Sequence, residues 1–269
     1  MTLEEKKRRL QEILIKLGKV AIAYSGGTDS SLLLIIARDV LGPGNVLALH
    51  NQTELQKPGE AKEAINRAIK CGFSLNDDLL VINSQPLNHQ EIVRNDQQRC
   101  YYCKRLLYTR FLELAKQNSV PWLLDGTNSD DLLEPRPGKR AIAELNIHTP
   151  LADAKLNKQE IRLLSRNLNL VTWNRPSASC LATRISFDSP IKIKELHRIA
   201  VLEEIVEQLG FKGCRVKPDQ SNPERIRIQI QEDDFSSISQ ATNRSALQRT
   251  LRSHGIYETF IDITGRKKN

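Results

Sequence analysis

Residues 20–31 read VAIAYSGGTDSS, and this stretch decides the fold that we expect for the chain. An apolar run from Val20 to Tyr24 stops at two glycines, and a second apolar run over residues 32–37 follows at once. This order predicts a buried strand, a glycine turn and the start of a helix. In such a turn, backbone N–H groups point out from the end of the strand, where they can bind a phosphate group.

The side chains of this turn suit phosphate binding. The paired glycines, Gly26 and Gly27, allow the backbone to adopt positive φ and to approach a ligand closely. The hydroxyls of Ser25 and Ser30 can donate hydrogen bonds to phosphate oxygens, and Asp29 is a residue type that favours a helix N-terminus. A turn that contains glycine for steric reasons alone is the alternative for any double glycine.

The complete string SGGTDS, residues 25–30, is similar to the PP-loop of the ATP pyrophosphatase superfamily, whose members cleave ATP between the α- and β-phosphates. It is not a Walker A loop, since no Gly-Lys-Ser/Thr sequence follows the glycines. The resemblance implies that the chain binds ATP at this turn.

The composition is that of a globular protein, with 39% hydrophobic and 27% charged residues among 269. No apolar run approaches the length of about 20 residues that crosses a membrane. The N-terminal segment MTLEEKKRRLQEILIKLGK predicts a charged amphipathic helix without the apolar core of a signal peptide. We therefore expect a cytoplasmic protein without membrane contact.

The chain is basic, with a formal net charge of +8 and an isoelectric point near 9.3. The basic residues are scattered, and the clearest cluster is Arg266 with Lys267 and Lys268 at the C-terminal end. A solvated basic surface, or pockets for phosphorylated small molecules, accounts for this charge as well as nucleic acid does. The charge alone therefore selects no partner.

The order of strands and helices predicts the fold class. Segments with helical periodicity separate four apolar segments that predict strands, at residues 20–24, 46–50, 79–82 and 122–125. This alternation predicts an α/β fold with a doubly wound, mainly parallel sheet, whose ligands bind at the carboxyl ends of the strands. Residues 126–185 are rich in loops, with one clear helix at 158–168.

The pattern changes near residue 186, where we place a domain boundary. A Ser-Pro pair predicts the start of a helix over residues 189–209, and two strands, a helix over 235–251 and a further strand follow. The sequence therefore predicts two domains. Residues 1–186 hold the parallel sheet, and residues 187–269 form a small α+β domain for substrate binding or oligomerisation.

A second loop of small and polar residues follows the fourth predicted strand directly. Asp130 or Asp131 of this loop can hold Mg²⁺ on nucleotide phosphates. Because parallel strands end at the same edge of a sheet, the loop faces the same crevice as the glycine turn. A turn without a ligand is the alternative for this segment taken alone. The candidates for lining a nucleotide are Asp125, Gly126, Thr127 and Asn128.

Five cysteines without a secretory signal point to metal or redox chemistry rather than to disulfides. Cys100 and Cys103 form a Cys-x-x-Cys pair between basic residues, which favour thiolates. On its own the pair is also consistent with half of a structural zinc site, a redox pair or two unrelated buried thiols. Cys180 adds a third thiol in a loop of small residues, where Arg184 can stabilise a thiolate or bind phosphate.

Three thiolates are an incomplete tetrahedral set. An iron–sulfur cluster with one open iron fits three ligands better than structural zinc, which usually has four. The remaining cysteines, Cys71 and Cys214, lie at a predicted helix end and strand start, and we interpret them as packing residues.

Six motifs occur in the order found in the LarE family of ATP-dependent sulfur transferases, which the chain resembles over nearly its whole length. They are SGGTDS (25–30), RCYYCK (99–104), LLDGTNSDD (123–131), RPGKRA (136–141), TPLAD–K–EIRLLSRNLNL (149–170) and PSASCLATRI (176–185). The resemblance implies a PP-loop fold of the adenine nucleotide alpha hydrolase-like type with a small α+β C-terminal domain.

The same resemblance implies the reaction. ATP adenylates a carboxylate of a pyridinium dicarboxylate mononucleotide and releases pyrophosphate, and a protein-borne sulfur displaces AMP to give a thiocarboxylate for the nickel-pincer nucleotide cofactor. Some members give up the sulfur of a single cysteine, here Cys180, whereas others hold a 4Fe–4S cluster on three cysteines. Because Cys100, Cys103 and Cys180 are all present, we expect the cluster type, with ATP, Mg²⁺ and a 4Fe–4S cluster as cofactors.

Each matching position carries an implied role. Cys180, Asp29 and Arg184 are the implied catalytic residues, and Arg215 is implied to meet the substrate phosphate from a neighbouring subunit. The implied ATP ligands are Ser25, Gly26, Gly27, Asp29, Ser30, Asp125, Gly126, Thr127 and Asn128, with Asp130 or Asp131 near Mg²⁺.

The resemblance also implies partners. They are a small-molecule nucleotide substrate, further copies of the chain in a hexamer, and a sulfide donor such as a cysteine desulfurase; nucleic acid and membranes are not among them. The chain departs from the family at Lys217, which replaces an arginine, and at residues 263–268, which lack the usual Phe-Arg-Ser-Gly ending. These departures bear on the contacts of the C-terminal domain and on the identity of the substrate.

Three other functions remain open. A tRNA-thiolating PP-loop enzyme would use the same ATP chemistry and suits the basic isoelectric point, but the sequence contains no recognisable RNA-binding module. An amidating synthetase uses ammonia and needs no set of three thiols. A nucleotide sensor or an iron–sulfur carrier would not need the phosphate-loop residues Asp29 and Ser30.

Overall fold

The computed structural model describes residues 1–133, 136–176 and 179–266. Ser177 and Ala178 of the PSASCLATRI motif, and Lys267 and Lys268 of the basic C-terminal cluster, lie outside the described residues. The chain forms two compact units. The first comprises Met1–Ile92 and Gln97–Arg175, and the second comprises Val93–Asp96 and Pro176–Asn269.

The first unit is built on a sheet of four parallel strands in the order β3-β2-β1-β4. Val20 pairs with Val46 on one side and with Trp122 on the other, so β1 lies in the middle of the sheet. The carboxyl ends of β1 and β4 are therefore neighbours at a change in strand order, where ligands of such sheets bind. The strands are β1 (Val20–Ala23), β2 (Val46–Thr53), β3 (Leu79–Ser84) and β4 (Trp122–Leu124).

Helices cover both faces of this sheet. Val20 and Ile22 of β1 belong to a core with Leu10 and Leu33, whereas Ala21 belongs to a second core with Phe111. Because neighbouring strand residues point to opposite faces, these two cores confirm the predicted doubly wound α/β fold. The helices are α1 (Leu3–Leu17), α2 (Thr28–Leu41), α3 (Glu60–Lys70), α4 (Gln90–Val93), α5 (Arg99–Gln117), α6 (Ser129–Leu133), α7 (Pro137–Glu144), α8 (Pro150–Asp153) and α9 (Lys158–Asn167).

The second unit contains the small C-terminal sheet that the sequence predicts. Its strand order is β5-β6-β7, with β5 antiparallel and β7 parallel to β6. Val216, Ile226 and Ile228 pack from this sheet against Leu202 and Val206. The elements are α10 (Ile193–Gln208), β5 (Arg215–Pro218), β6 (Arg225–Gln229), α11 (Phe235–Ile238), α12 (Ala241–Arg252) and β7 (Glu258–Ile261).

Three helix predictions differ from the structure. Helix α10 begins at Ile193 rather than at residue 189, because the Ile191 amide donates to the Val93 carbonyl. The predicted helix over 235–251 is interrupted at Gln240, whose backbone is extended. Residues 126–185 contain the additional helices α6, α7 and α8, of which two begin at a proline, a residue favoured in a first helical turn.

The two compact units divide between Arg175 and Pro176, whereas the sequence predicts a domain boundary near residue 186. The 3₁₀ turn Leu181–Arg184 belongs to the second unit, where a buried ion pair joins Arg184 to Glu203 of α10. The assignment of separate functions to the two parts stays a prediction. Across the described ranges, no helix is both long and apolar enough to cross a membrane.

Candidate functional site

The glycine turn lies between β1 and α2, at the carboxyl edge of the parallel sheet. Gly27 is the N-cap residue of α2 and contributes no capping side chain, so the first backbone N–H groups of the helix can serve a ligand. Gly26 has φ +75°, and a Cβ added there would lie 2.5 Å from Cβ of Ala64 on α3. Only glycine both adopts this positive φ without strain and leaves room for Ala64.

Two serine hydroxyls fix the shape of this turn. The Ser25 amide donates to Ser30 Oγ at 3.2 Å, and the Gly27 amide donates to Ser25 Oγ at 3.3 Å. The two hydroxyl oxygens lie 3.0 Å apart. These bonds hold Ser25, Gly27 and Ser30 together in one turn, and their binding of ATP phosphates stays a prediction.

Asp29 is the carboxylate of this turn, and it lies among cations of α9. One of its oxygens accepts from Lys158 Nζ, and Arg162, one helical turn further along, also acts electrostatically on it. Burial raises the pKa of Asp29 above its ordinary value, although Lys158 opposes the shift. Its other oxygen, Oδ1, is buried without a hydrogen-bond partner in the described part of the chain. This oxygen is available to a cation.

Helix α9 presents Lys158 at a fixed position. Asn157 and Glu160 form a capping box, in which each side chain accepts from the other residue's amide at 2.9 and 3.0 Å. Glu160 also pairs with Lys6 of α1 at 2.7 Å. The capping box and the ion pair with Lys6 therefore fix the first turn of α9.

The second predicted loop begins at Asp125, which is 8% exposed. Oδ1 accepts from the Thr127 amide at 2.7 Å and from its hydroxyl, and Oδ2 accepts from Tyr108 and from Lys104 at 3.2 Å. Burial opposes ionisation of Asp125, yet Lys104 and the bonds from Thr127 and Tyr108 outweigh it and lower its pKa. Both oxygens of Asp125 are thus bonded within the protein, where they shape the loop.

The next residues bring the two loops into contact. A Cβ added at Gly126 would lie 3.1 Å from the backbone nitrogen of Ser30, which is closer than most real contacts. Asn128 is 2% exposed, and its Oδ1 accepts from the amides of Asp130 and Asp131 at 3.0 and 3.1 Å. The structure therefore places the second loop against the first turn of α2 and gives Asn128 the role of capping α6.

The predicted magnesium ligands lie beside the first loop. Asp130 Oδ2 accepts from the Lys158 amide at 2.9 Å, and Asp131 Oδ1 pairs with Arg136 at 2.9 Å. Asp131 also acts electrostatically on Asp29. Within residues 1–133, 136–176 and 179–266, no group of three or more His, Cys, Asp or Glu side chains is gathered for a metal. The unpartnered oxygen of Asp29 is the observation that fits Mg²⁺, which prefers carboxylate oxygens.

Cys100 and Cys103 lie in the first turn of α5, in the first unit. Their spacing of three residues places them on one side of the helix. Cys100 is exposed and Cys103 is half-buried, and Arg99 Nη2 donates to Cys100 Sγ at 3.5 Å. Two thiols one turn apart beside a guanidinium fit part of a thiolate ligand set for an iron–sulfur cluster.

Cys180 lies in the second unit, immediately before the 3₁₀ turn Leu181–Arg184, and is exposed. Arg184 Nη1 donates to the carbonyl oxygens of Ser179 at 2.8 Å and of Cys180 at 3.1 Å. Its other guanidinium nitrogens donate to Glu203 at 2.7 and 3.1 Å. Arg184 therefore holds the backbone around Cys180 in place.

Glu203 is a residue that the sequence interpretation does not include. It is 0% exposed, and its Oε1 also accepts from the Val216 amide at 3.0 Å. It therefore joins the Cys180 loop to β5. In the sequence, the signal for Glu203 is its position as a charged residue among the apolar residues that form one face of the predicted helix over 189–209.

Removal of Glu203 is expected to destabilise the protein. Glu203→Ala leaves the guanidinium of Arg184 buried without its counter-ion, and the loss of one partner of such a pair costs about 3 kcal/mol of unfolding free energy. Urea denaturation followed by circular dichroism measures this loss. Glu204→Ala, on the exposed side of the same helix, is the control. Equal stability of the two variants would contradict the assignment.

Arg215, at the start of β5, is the predicted ligand of a substrate phosphate. Its Nε is buried without a hydrogen-bond partner in the described ranges. Burial, together with the charges of Arg266 and Arg184, lowers the pKa of Arg215 to about 10. A bound anion would relieve this repulsion, and Lys217 lies two residues away on the same strand.

Lys158 and Arg162 lie beside Asp29 of the glycine turn, and the sequence interpretation gives neither of them a role. Both lie in the motif TPLAD–K–EIRLLSRNLNL, and their spacing of four residues places them on one face of α9. Arg162 also donates to the carbonyl oxygens of Trp173 at 2.8 Å and Arg175 at 2.9 Å. Their spacing on one face of α9 is visible in the sequence, but the carboxylate that they approach is not.

Comparison with known proteins gives relatives that span nearly the whole chain. A protein of Methanocaldococcus jannaschii described as uncharacterized is 32% identical over 91% of this chain and 89% of its own length. Pyridinium-3,5-bisthiocarboxylic acid mononucleotide synthase of Lactiplantibacillus plantarum is 29% identical over 98% of this chain and 92% of its own length. No model of a protein family matches the chain.

A more distant relative is one of the subunits of the glutamine-hydrolysing GMP synthase of Thermococcus kodakarensis, which is 25% identical over 78% of this chain and 72% of its own length. This similarity supports the PP-loop type of fold. The chain is thus related to enzymes, and its relatives extend across both compact units.

Proposed function

Since this chain belongs to the LarE family of ATP-dependent sulfur transferases, we propose that it activates a substrate carboxylate with ATP and replaces a carboxylate oxygen with sulfur. The proposed substrate is a pyridinium dicarboxylate mononucleotide, and the product serves nickel-pincer cofactor biosynthesis. The name of the Lactiplantibacillus plantarum relative supports this substrate class. The observation that carries the proposal is the phosphate-binding turn between β1 and α2, with the unpartnered Asp29 oxygen beside it.

The activation step forms an acyl adenylate. A carboxylate oxygen of the substrate bonds to the α-phosphorus of ATP, the bond to the bridging oxygen breaks, and pyrophosphate leaves with the electron pair. The amides of the α2 N-terminus and the hydroxyls of Ser25 and Ser30 stabilise the negative charge that develops. Asp29, with Asp130 or Asp131, would hold Mg²⁺, which supplies further positive charge on the phosphates when bound.

Lys158 also takes part in this step. The lysine neutralises Asp29 before the nucleotide binds. Asp29 would hold Mg²⁺ through its unpartnered oxygen, and the Lys158 ammonium group beside it can reach the phosphates as a flexible point charge.

The second step transfers sulfur. A sulfide sulfur bonds to the carbonyl carbon of the acyl adenylate, the bond from carbon to the AMP oxygen breaks, and AMP leaves with the electron pair. Cys100, Cys103 and Cys180 would hold a 4Fe–4S cluster, which supplies a transferable sulfide when bound. The alternative is that the Cys180 sulfur itself bonds to the carbonyl carbon as AMP leaves. A base then takes the Cα proton, and the Cβ–S bond breaks with its electron pair on sulfur, which gives the thiocarboxylate and leaves dehydroalanine at position 180.

The proposal includes partners. Arg215, with Lys217, binds the phosphate of the substrate, and copies of the chain assemble through the C-terminal part. A sulfide donor such as a cysteine desulfurase reloads the protein in the cytoplasm. Nucleic acid is not a partner.

Anaerobic turnover tests the function. Purified protein with Mg²⁺, ATP and the pyridinium dicarboxylate mononucleotide is expected to release pyrophosphate and to form a thiocarboxylate, which mass spectrometry detects. Iron and sulfide analysis with a visible spectrum distinguishes the cluster type from the sacrificial type. Pyrophosphate release that requires tRNA instead of the mononucleotide would overturn the proposal in favour of tRNA thiolation.

A further inference from the structure

Helix α5 carries two sets of residues that the sequence interpretation treats separately. Cys100 and Cys103 occupy its first turn, and Lys104 and Tyr108 follow on the same side, four and eight residues after Cys100. Cys103 and Lys104 are neighbours in sequence. A shift of the helix backbone at Lys104 along the helix axis therefore moves the thiol pair as well.

Lys104 and Tyr108 both donate a hydrogen bond to the same atom, Oδ2 of Asp125. Tyr108 is 4% exposed, and its ring stacks on Phe111 with ring centroids 6.1 Å apart. Burial and the charge of Asp125 raise the pKa of Tyr108 well above its ordinary value, so the phenol stays protonated and donates. The contact consists of a buried carboxylate, a cation and a neutral donor, an arrangement with little freedom to move.

The contact continues to the phosphate loop. Asp125 is followed by Gly126, whose Cα approaches so closely that an added Cβ would lie 3.1 Å from the Ser30 nitrogen. All of these residues belong to the first compact unit. A continuous path of packed groups therefore runs from the Cys100–Cys103 turn through Asp125 to the first turn of α2.

We propose that Lys104 and Tyr108 are positioning residues, which fix the cysteine-bearing turn of α5 relative to the nucleotide loops. The inference rests on the proposed function. An acyl adenylate reacts with water when its sulfur donor is misplaced: water bonds to the carbonyl carbon, AMP leaves, and the original carboxylate is recovered. Correct placement of the thiol pair would therefore decide how much activated substrate becomes thiocarboxylate.

Tyr108→Phe tests this role, with Tyr101→Phe as the matched control. Tyr101 is equally buried, at 4% exposure, lies on the same helix and donates to a different carboxylate, that of Glu144, at 2.7 Å. For Tyr108→Phe we expect pyrophosphate release to continue while thiocarboxylate formed per pyrophosphate falls by about tenfold, because small misplacements are costly. Tyr101→Phe is expected to keep the wild-type ratio.

Additional measurements distinguish misplacement of the thiol pair from loss of the folded structure. Melting temperature and iron and sulfide content are measured for both variants, and Lys104→Met with Lys104→Arg repeats the test at the second contact. Arginine preserves the charge and is expected to restore the ratio in part. An unchanged ratio in Tyr108→Phe and Lys104→Met, with wild-type protein active, would overturn the inference. Absence of pyrophosphate release from wild-type protein would instead overturn the proposed function.

Discussion

Cys180→Ala is expected to lower thiocarboxylate formation on the order of 10³-fold or more, because it removes the thiol that is proposed to hold or supply the reacting sulfur. Pyrophosphate release is expected to continue, since the proposed phosphate-binding residues belong to the first compact unit and Cys180 belongs to the second. Mass spectrometry of the product and a pyrophosphate assay measure the two steps separately.

Cys71→Ala is the control for this variant. Cys71 is exposed, as Cys180 is, and lies at the end of α3. We expect wild-type activity from it. The mass of the wild-type protein after turnover adds a second readout, since loss of one H₂S equivalent would identify Cys180 as the consumed donor. Full thiocarboxylate formation by Cys180→Ala would exclude Cys180 both as a cluster ligand and as a consumed sulfur donor.

Asp29→Asn is expected to slow pyrophosphate release on the order of 10²–10³-fold, since it removes the charge that is proposed to hold Mg²⁺ against the phosphates. The melting temperature at neutral pH is not expected to fall. Burial raises the pKa of Asp29 in the folded protein, so the ionised carboxylate opposes folding once the pH exceeds its ordinary pKa. Asparagine removes that opposition, although it leaves Lys158 without its ion pair.

Asp39→Asn, at an exposed position of the same helix, is the control for charge. It is expected to retain both activity and melting temperature. Titration of Mg²⁺ completes the experiment, because a lost ligand raises the metal concentration that half-saturates the reaction. Wild-type turnover and an unchanged magnesium dependence in Asp29→Asn would contradict the assignment of this carboxylate.

The glycine turn illustrates how much of the site the sequence predicts. Alternation of apolar segments and glycines is a local signal, so it predicts β1, α2 and the positions of Ser25 and Ser30 correctly. Lys158 is different, since it pairs with a residue 129 positions earlier in the chain. Such pairing depends on how α9 packs, and no local pattern encodes it.

The second loop shows a residue to which the sequence assigns a ligand but whose partners within the protein it does not predict. An aspartate at the end of a parallel strand has the residue type and the position of a ligand, so the sequence predicts that Asp125 lines the nucleotide. Its oxygens accept from Tyr108, Lys104 and Thr127 within the protein, and its contact with a nucleotide stays a prediction. Arg184 is similar, because its guanidinium bonds to Glu203 and to the Cys180 loop. Residue type indicates that a polar group has a partner, but only packing decides which one.

The fit between Gly126 and Ser30 has a consequence for protein engineering. Because a methyl group at position 126 would press on the Ser30 backbone nitrogen, a phosphate loop grafted onto this chain has to fit closely against Gly126. A chimera that receives a foreign phosphate loop is therefore expected to keep this fit best when both loops are transplanted as one unit.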